Sequence, residues 1–544
     1  MLSRVPAERL SRAIGPQRIQ VLADLLEGSD ATNLEESSAL LARCAVGLFG
    51  MDALSERPLR RLLLETLPPE LLAELAAEFT GNVLPKYHDN ALALAATPWR
   101  AGSLLVERVL LALNLPRECA PPSAAGATTV EIVDPIDPVP ALHAFQHDVY
   151  RQLLAHLTSL SPSVLVQLPT GAGKTRTVME ALIAVVDQRN VFGSGRSVAW
   201  IAHTEELCEQ AIEAFKNLWQ AKASSSSQVV RLWANHVPSV MDVQGAFVVA
   251  TFQKLVAARE STLFRFLKSN LEVVVVDEAH KVLAPTFREV TSALSGGPGC
   301  SLVGLTATPG RGLDRQRENQ ELASLFNHNL VTPDLGANPL ETLRGLRVLA
   351  QVHRRVIETG VTLTLSAGDQ THVERAFDLP KSILETLSHN PSRNRVIVEN
   401  VATEVAAGNP CVVFACTVEH ARLLAAALTL RGVPAEYIDS TMRKGARRSV
   451  IERFRRGDFQ VLTNFGILST GFDAPRIRTV VIARPTASVV LYSQMVGRGL
   501  RGPLMGGGDR CTLVDVRDNF ENFGSVDDVY RVFDGFWTAQ QTHK

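Results

Sequence analysis

Two short segments of this chain carry residues whose types and spacing suit chemistry on a phosphate. Residues 168–175 read LPTGAGKT, and Asp277 and Glu278 begin the tetrapeptide DEAH about a hundred residues later. Each segment follows an apolar run that is typical of a buried strand. A strand followed by a glycine-rich turn and a helix start is the context that a phosphate-binding loop requires, because the free N–H groups of the first helical turn then face the phosphates.

The residue types assign a role to each position of the first segment. Gly171 and Gly173 let the backbone approach a ligand, Lys174 can reach the β- and γ-phosphates, and the Thr175 hydroxyl can bind Mg²⁺. The other loop residues expected to contact the nucleotide are Thr170 and Ala172. The strict pattern has glycine where this chain has Leu168.

The second segment supplies the remaining groups for hydrolysis. Asp277 is expected to hold the metal ion, directly or through water, together with Thr175. Glu278 is expected to orient or deprotonate the attacking water. The two segments together predict binding and hydrolysis of a nucleoside triphosphate, with Mg²⁺ as the metal.

Length and composition indicate a multidomain, soluble, cytoplasmic protein. The chain has 544 residues, of which 46% are hydrophobic and 20% are charged, and this length predicts about three or four domains. No apolar run is long enough to span a bilayer, and the first residues carry charges where a secretory signal needs an apolar region. The seven cysteines contain no C-x-x-C pair, a pattern that is typical of a reducing compartment and argues against a zinc site.

The charge is distributed unevenly along the chain. Residues 1–130 contain 12 Lys and Arg against 15 Asp and Glu, a net charge of −3, whereas residues 441–501 contain 12 against 3, a net charge of +9. This asymmetry predicts a surface for a polyanion on the C-terminal part only. A solvated charged face is the alternative explanation.

Periodicity divides the chain into five parts. Residues 1–115 have apolar residues at helical spacing and are predicted to form a helical accessory domain, and the Pro-rich residues 116–140 are predicted to be a linker. Alternating strands and helices predict two α/β blocks at 141–333 and 381–544, joined by a connecting segment at 334–380 that can form strands of its own. Because most strand candidates are continuous apolar runs, we expect parallel sheets covered on both faces. The phosphate loop lies only in the first block, so we expect the nucleotide site in a cleft between the blocks.

The order of short motifs over residues 141–524 resembles that of superfamily 2 helicases and translocases. This resemblance implies two tandem RecA-like parallel-sheet lobes after an N-terminal all-helical domain, and ATP with Mg²⁺ as cofactors. It also implies that Gln146 reads the adenine base, because an amide offers one donor and one acceptor to the base edge. In relatives, several loops hold the nucleic-acid backbone, and the corresponding residues here are Thr204, Thr251, Gln253, Thr417 and Thr463. At the first of these loops, His203 replaces a common proline, which leaves its contact geometry open.

The later motifs complete the resemblance. The segment TATP at 306–309 resembles the motif that links ATP hydrolysis to nucleic-acid movement. Gly471 and Asp473 lie in a segment that resembles a nucleotide-contacting motif. The segment QMVGRGLR at 494–501 resembles the last motif, in which Gln494 is a catalytic-site residue and Arg498 and Arg501 are arginine fingers lent by the second lobe. A guanidinium can grip two oxygens of the transferring phosphoryl group, so closure of the lobes would control hydrolysis.

The amino-acid sequence in and around the motifs most resembles that of DEAH-box, DNA-directed members of the superfamily, namely the type III restriction-like and excision-repair-like helicases of bacteria. This resemblance implies a motor on DNA, in DNA repair or in defence against foreign DNA. Two alternatives stay open at this point: an ATP-gated clamp that does not move along nucleic acid, and an RNA helicase.

The role of residues 1–115 is less constrained. Their acidic character makes a grip on DNA a poor interpretation, because each phosphate contact needs a cation. They are predicted to be either a structural helical bundle or a module that docks a protein partner or inhibits the motor, with no membrane involved. The Pro-rich linker leads us to expect that a chain starting near Asp137 folds and keeps ATPase activity stimulated by nucleic acid.

Overall fold

Continuous apolar runs form the inner strands of two separate sheets, as expected for strands covered on both faces. The structure, a computed structural model, describes residues 1–26, 33–100, 102–121, 129–133, 141–158, 163–169, 171–223, 225–307, 316–336, 339–361, 366, 369, 379–439, 441–442, 444–467, 474, 476–486 and 489–516. The described chain forms two compact units. The phosphate-loop unit contains residues within 127–351 and 488–509, and the helix-capped unit contains residues within 1–126, 352–487 and 510–516.

The phosphate-loop unit is built on an eight-stranded sheet with the order β1-β4-β5-β3-β6-β7-β2-β8. Its strands are β1 (Val130–Val133), β2 (Ser163–Gln167), β3 (Ser197–Ala202), β4 (Ser227–Leu232), β5 (Ala246–Thr251), β6 (Leu271–Val276), β7 (Ser301–Thr306) and β8 (Leu330–Val331). All neighbouring pairs are parallel except β1 and β4, which are antiparallel. This arrangement brings the carboxyl ends of β2, β3, β5, β6 and β7 to one edge, where the predicted site residues follow.

Helices cover this sheet. They are α8 (Ala144–Thr158), α9 (Lys174–Gln188), α10 (Glu205–Lys222), α11 (Val240–Val243), α12 (Phe252–Ala257), α13 (Thr262–Asn270), α14 (Pro285–Ser295), α15 (Gln316–Leu325) and α16 (Pro339–Gly345). The short helix α21 (Val489–Val496) belongs to the same unit.

The helix-capped unit contains a six-stranded sheet with the order β11-β12-β10-β13-β14-β9. Its strands are β9 (Gln351–Ile357), β10 (Cys411–Phe414), β11 (Ala435–Ile438), β12 (Val461–Asn464), β13 (Thr479–Ile482) and β14 (Arg510–Val516). The pairs from β11 to β14 are parallel. Its second-block helices are α17 (Lys381–Ser388), α18 (Pro391–Ala406), α19 (Val418–Leu430) and α20 (Lys444–Arg456). The predicted fold class, two parallel-sheet α/β lobes with a helical N-terminal region, is confirmed.

The N-terminal part is helical throughout its described length. Its helices are α1 (Ala7–Ile14), α2 (Pro16–Leu25), α3 (Ser38–Phe49), α4 (Arg57–Leu64), α5 (Pro69–Thr80), α6 (Tyr87–Ala96) and α7 (Leu104–Ala112). The helical character predicted for residues 1–115 is confirmed over this described length.

These N-terminal helices pack directly against the second block. They pack on α19, where the Arg18 guanidinium donates to the Glu419 carboxylate at 2.6 Å, and on β11, where the Tyr437 hydroxyl donates to the Phe49 carbonyl oxygen at 3.3 Å. Arg431, at the end of α19, donates to the Leu25 carbonyl oxygen at 3.3 Å. Helical periodicity identifies an apolar face but does not say what covers it, so this contact was not foreseen.

Three segments differ from the predicted division. The strand β1 forms inside the Pro-rich segment that we predicted to be a linker, and it pairs with the unpredicted strand β4. In the connecting segment, β9 joins the second sheet beside β14. Residues 488–509, although they lie within the predicted second block, group with the phosphate-loop unit. Each difference depends on a long-range pairing that no local pattern specifies.

Among the described residues, no single helix has both the length and the apolar character needed to cross a membrane. One bent pair of helical segments, Ser38–Leu54 and Arg57–Leu64, satisfies both criteria when taken together, with a bend of 92°.

Candidate nucleotide-binding site

The phosphate loop has the backbone that its glycines predict. Gly171 and Gly173 have φ angles of +89° and +79°, a region that L-residues rarely occupy. Gly173 is the N-cap of α9 and has no side chain to satisfy the first N–H groups of the helix. Lys174 and Thr175 begin that helix. The loop therefore presents free backbone donors and a lysine at the positive end of a 15-residue helix, which suits a polyphosphate.

Gln146 lies behind this loop in α8. Its side chain is buried: Nε2 donates to the Ala172 carbonyl oxygen at 3.0 Å and Oε1 accepts from the His143 N–H at 3.0 Å. A Cβ atom on Gly173 would stand 2.4 Å from Gln146 Nε2, so only glycine fits there. Gln146 thus supports the phosphate loop directly, and its contact with adenine stays a prediction.

The two acidic residues follow β6 and face the lysine. Lys174 Nζ lies 3.8 Å from Glu278 Oε1, and both side chains are nearly buried. Asp277 is buried, and one carboxylate oxygen accepts from the Glu278 N–H at 2.9 Å. Glu278 has a φ of +52°, which is rare for a residue with a side chain. Strained backbone of this kind is commonly found where a functional side chain must be aimed.

Burial and charge move the pKa values of these carboxyl groups in opposite directions. Burial raises the pKa of Asp277 above its ordinary range, an effect that Lys174 only partly offsets. Burial would also raise the pKa of Glu278, but Lys174, together with His280, Lys281 and His203, holds that pKa below its ordinary range. Glu278 is therefore ionised, whereas the ionised form of the buried Asp277 would be stabilised by a bound cation.

His280 joins the acidic segment to the end of β7. Its Nδ1 atom lies 3.4 Å from a carboxylate oxygen of Glu278 and 3.4 Å from the hydroxyl of Thr306. Both His280 and Thr306 are buried. The motif at 306–309 thus contacts the hydrolytic residues through a histidine, as far as its described residues show.

The segment after α21 lies against the phosphate loop within the same unit. Leu349 and Arg501 form an antiparallel bridge, and the Ala350 N–H donates to the Leu500 carbonyl oxygen at 2.8 Å. A Cβ atom on Gly171 would stand 3.5 Å from Arg501 Cγ. Arg501 thus lies beside the loop, and its role as an arginine finger stays a prediction.

Two further residues of this motif lie close by in sequence. Gln494 is buried in α21, and its Nε2 atom has no hydrogen-bond partner within the described chain. A buried donor of this kind is costly unless a ligand or water completes it. Arg498 is half-buried in the turn that follows α21.

The residues at this site suit ATP with Mg²⁺. Glycines whose positive φ leaves room for phosphates, a helix N-terminus and Lys174 match the anion. Within the described residues, no group of three or more His, Cys, Asp or Glu side chains can hold a metal by itself. The Thr175 hydroxyl and the Asp277 carboxylate are oxygen donors, and Mg²⁺ is usually bound by one or two protein oxygens and by substrate phosphates. Thr175 and Asp277 would be the protein ligands, and the ion would neutralise charge on the transferring phosphoryl group.

Three of the residues predicted to contact nucleic acid line one pocket at the carboxyl edge of the first sheet. The pocket has a volume of about 400 Å³ and is bordered by Thr204, Thr251 and Gln253. The hydroxyls of Thr204 and Thr251 cap α10 and α12 by accepting from the N–H groups of Leu207 and Lys254. Helix starts with hydroxyl caps are a common way to hold backbone phosphate.

The other two nucleic-acid candidates differ from each other. Thr417 caps α19 by accepting from the His420 N–H at 3.0 Å, so it has the same geometry as Thr204. The prediction for Thr463 is wrong: this residue is fully buried in β12, and its hydroxyl donates to the Ala421 carbonyl oxygen at 2.7 Å. Alternation along a buried parallel strand cannot say which side chains reach the surface. Thr170, Gly471 and Asp473 lie outside the described residues.

Three other residues at this edge were not predicted as site residues. His203 and Lys254 line the same pocket, and Lys281 contacts His203. The signal was available for Lys254 and Lys281, since each directly follows a recognised motif. His203 was noted only as a departure from a common proline.

The basic cluster in α20 is partly neutralised by its own neighbours. Arg453 pairs with Glu436 at 2.6 Å, and Arg456 pairs with Asp458 at 2.7 Å. Arg455 pairs with Glu452 at 2.8 Å. These pairs favour the solvated charged face over a dedicated phosphate contact for this part of the basic region.

Comparison with known proteins agrees with this site. The family model "Type III restriction enzyme, res subunit" matches residues 140–311, and the model "Helicase conserved C-terminal domain" matches residues 392–502. A protein of Saccharomyces cerevisiae that carries the name ATP-dependent helicase IRC3 is 23% identical over 397 residues, or 71% of this chain and 53% of its own length. The type I restriction enzyme EcoKI endonuclease subunit of Escherichia coli is 23% identical over 66% of this chain and 33% of its own length.

Among solved structures, yeast Dbp5 bound to RNA and ADP BeF3 aligns with a TM-score of 0.48 at 16% identity, over 72% of this chain and 87% of that one. The two family models and the yeast relative make this chain similar to superfamily 2 helicases and translocases. The first α/β block is similar to the res subunit of type III restriction enzymes. The chain spans about half the length of the yeast relative.

Proposed function

We propose that this protein is an ATP- and Mg²⁺-dependent DEAH-box motor that acts on nucleic acid, and on DNA rather than RNA. The observation that carries the proposal is the arrangement around the phosphate loop. Lys174 and Glu278 lie 3.8 Å apart, Asp277 is buried beside them, and Arg501 lies against Gly171. These are the groups that phosphoryl transfer needs: charge neutralisation, a metal ligand, a group for the attacking water and a guanidinium.

The pocket at the same sheet edge supports a nucleic-acid substrate. Its hydroxyl-capped helix starts are suited to phosphate and contain no element that reads bases, so the contact would be blind to sequence. Restriction enzyme subunits among the relatives favour DNA, although sequence-blind contacts do not by themselves separate DNA from RNA. We further propose a role in DNA repair or in defence against foreign DNA, which is supported by the resemblance to restriction-like and excision-repair-like helicases.

The decisive experiment compares ATPase stimulation by double-stranded DNA, single-stranded DNA and RNA of matched length. The proposal expects stimulation by DNA to exceed that by RNA. Stimulation by RNA alone would favour the RNA helicase, and no stimulation by any of the three would refute the motor.

A second assay separates movement from switching. Strand displacement and triplex displacement are measured with ATP and with a non-hydrolysable analogue. If ATP drives neither displacement while nucleotide still changes nucleic-acid affinity, the protein is an ATP-gated clamp and not a motor.

A further inference from the structure

His203 lies between the predicted nucleic-acid pocket and the hydrolytic residues. It is the last residue before the Thr204 cap and lines the pocket together with Thr204, Thr251 and Gln253. On its other side, His203 Nε2 lies 2.5 Å from the ammonium group of Lys281. His203 therefore lines the pocket and, through its imidazole ring, contacts a residue of the acidic segment.

The contact with Lys281 fixes the tautomer of this histidine. A lysine ammonium group has only donors, so Nε2 must accept, and the neutral ring then carries its hydrogen on Nδ1. Burial, reinforced by Lys281, lowers the pKa of His203 to about 4, so the ring is neutral near pH 7. The Nδ1 atom is buried and has no acceptor within the described chain. His203, a residue that lines the pocket, thus holds a buried unsatisfied donor, and such a donor is costly.

Lys281 in turn belongs to the turn that aims Glu278. Its backbone N–H donates to the Glu278 carbonyl oxygen at 2.9 Å, and this bond closes the turn in which Glu278 has its positive φ. Lys281 is also one of the cations that hold the pKa of Glu278 low. If the hydrogen bond between His203 and Lys281 changes and Lys281 moves, both the orientation of Glu278 and the positive charge near its carboxylate change.

We propose that His203 is a positioning residue that relays occupancy of the nucleic-acid pocket to Glu278 through Lys281. A backbone phosphate oxygen, or a water that it orders, accepts from the Nδ1–H donor. An acceptor at Nδ1–H makes Nε2 a stronger acceptor, because hydrogen bonds in a chain polarise one another. The ring then holds Lys281, and with it the Glu278 turn, in one arrangement. The inference rests on the proposed function and adds a route by which nucleic acid stimulates hydrolysis.

Two substitutions separate the two ends of the relay. The amide group of His203→Gln can reach the position of Nε2 and accept from Lys281, but this variant lacks the Nδ1–H donor. The amide group of His203→Asn can reach the position of Nδ1 and donate, but this variant is too short to contact Lys281. His156→Gln, in α8 of the same unit, is the matched control.

The experiment measures the ratio of DNA-stimulated to basal ATPase rate, and the factor by which a non-hydrolysable ATP analogue changes DNA affinity. A relay needs both ends, so we expect both His203 variants to lose about tenfold in the stimulation ratio and to bring the coupling factor close to 1. The control keeps both values. Combining His203→Gln with Lys281→Met should cost no more than the Lys281 change alone, because the two residues act in series.

The outcomes are distinguishable. If the wild type is stimulated and either His203 variant keeps the full stimulation ratio and coupling factor, the relay is wrong while the proposed function stands. If both variants lose DNA affinity but keep the coupling factor, His203 is only a wall of the pocket. If the wild type is not stimulated by any nucleic acid, the proposed function fails and the relay fails with it.

Discussion

Gly47 in α3 and Ala426 in α19 are in backbone contact: a Cβ atom on Gly47 would stand 2.6 Å from the Ala426 Cα atom. The first residue belongs to the N-terminal helices and the second to the helix that begins at Thr417. Such a close approach requires a residue without a side chain. The N-terminal helices are therefore fitted to the second block and are not merely tethered to it.

Gly47→Ala should destabilise the helix-capped unit by about 1–3 kcal/mol, because the added methyl group forces two packed helices apart. Denaturant unfolding of the full chain measures the effect. The matched control is Gly445→Ala in α20, where an added Cβ meets nothing within 4 Å and where alanine should be neutral or slightly stabilising. Equal stability of the two variants would contradict the close packing.

The structure changes our expectation for a chain that starts near Asp137. The helix α19 is buried on nearly all sides, with eight apolar residues from Ala421 to Leu430 inaccessible. A helix that is apolar all round must be covered on more than one face. We now expect the truncated chain to be poorly soluble or to unfold at a lower temperature. A soluble truncated chain with a cooperative transition and stimulated ATPase activity would restore the original prediction. Partner binding by residues 1–115 stays a prediction.

Lys174→Ala and Glu278→Gln should each abolish ATP hydrolysis, but in different ways. The lysine neutralises phosphate charge, so its loss should weaken ATP binding. The glutamate acts on the attacking water, so Glu278→Gln should bind ATP and stall. Equilibrium binding of a fluorescent ATP analogue and the steady-state ATPase rate distinguish the two. Lys268→Ala, on the exposed side of α13, is the control. A normal rate in either site variant would refute the assignment.

Arg498→Ala and Arg501→Ala should keep nucleic-acid binding and lose hydrolysis by a factor of about 10³ if both guanidinium groups contact the transferring phosphoryl group. Arg510→Ala, at the exposed start of β14, controls for loss of a positive charge. Turnover and nucleic-acid affinity are measured for each variant. A parallel loss of affinity and turnover would instead indicate a nucleic-acid contact.

Asp277→Asn should remove Mg²⁺-dependent hydrolysis and stabilise the protein at neutral pH by about 1–3 kcal/mol. Burial raises the pKa of Asp277 to about 6, so the folded state disfavours the charged form. The charge therefore costs stability above pH 6, and this cost disappears as the pH falls through 6 toward the ordinary pKa. Thermal unfolding at pH 7.5 and pH 5 tests the sign. A gain that is equal at both pH values, or a loss at pH 7.5, would contradict it.

The same shift predicts the pH dependence of metal binding. Asp277 must be ionised to hold Mg²⁺, so the apparent Mg²⁺ affinity measured with a non-hydrolysable ATP analogue should fall as the pH is lowered through 6. A Mg²⁺ affinity that does not change between pH 7.5 and pH 5 would show that Asp277 is not the metal ligand.

The sequence by itself determined the chemistry and most of the strands. Glycines at positions 171 and 173 before Lys174 are typical of a phosphate loop. A run of apolar β-branched residues such as Val273 to Val276 strongly favours a buried strand. Both patterns are local, because a few neighbouring residues contain the whole signal.

Only the tertiary structure determined which of these local elements contact one another and which of their side chains are exposed. Thr463 and Thr204 look alike in sequence, yet one is sealed in β12 and the other caps α10 at the pocket. The strand β1 formed in a Pro-rich segment because β4 offered it an edge. The contacts of Gly47 with Ala426 and of His203 with Lys281 span hundreds or tens of residues. Such contacts depend on how whole elements pack, and no short window of sequence contains that information.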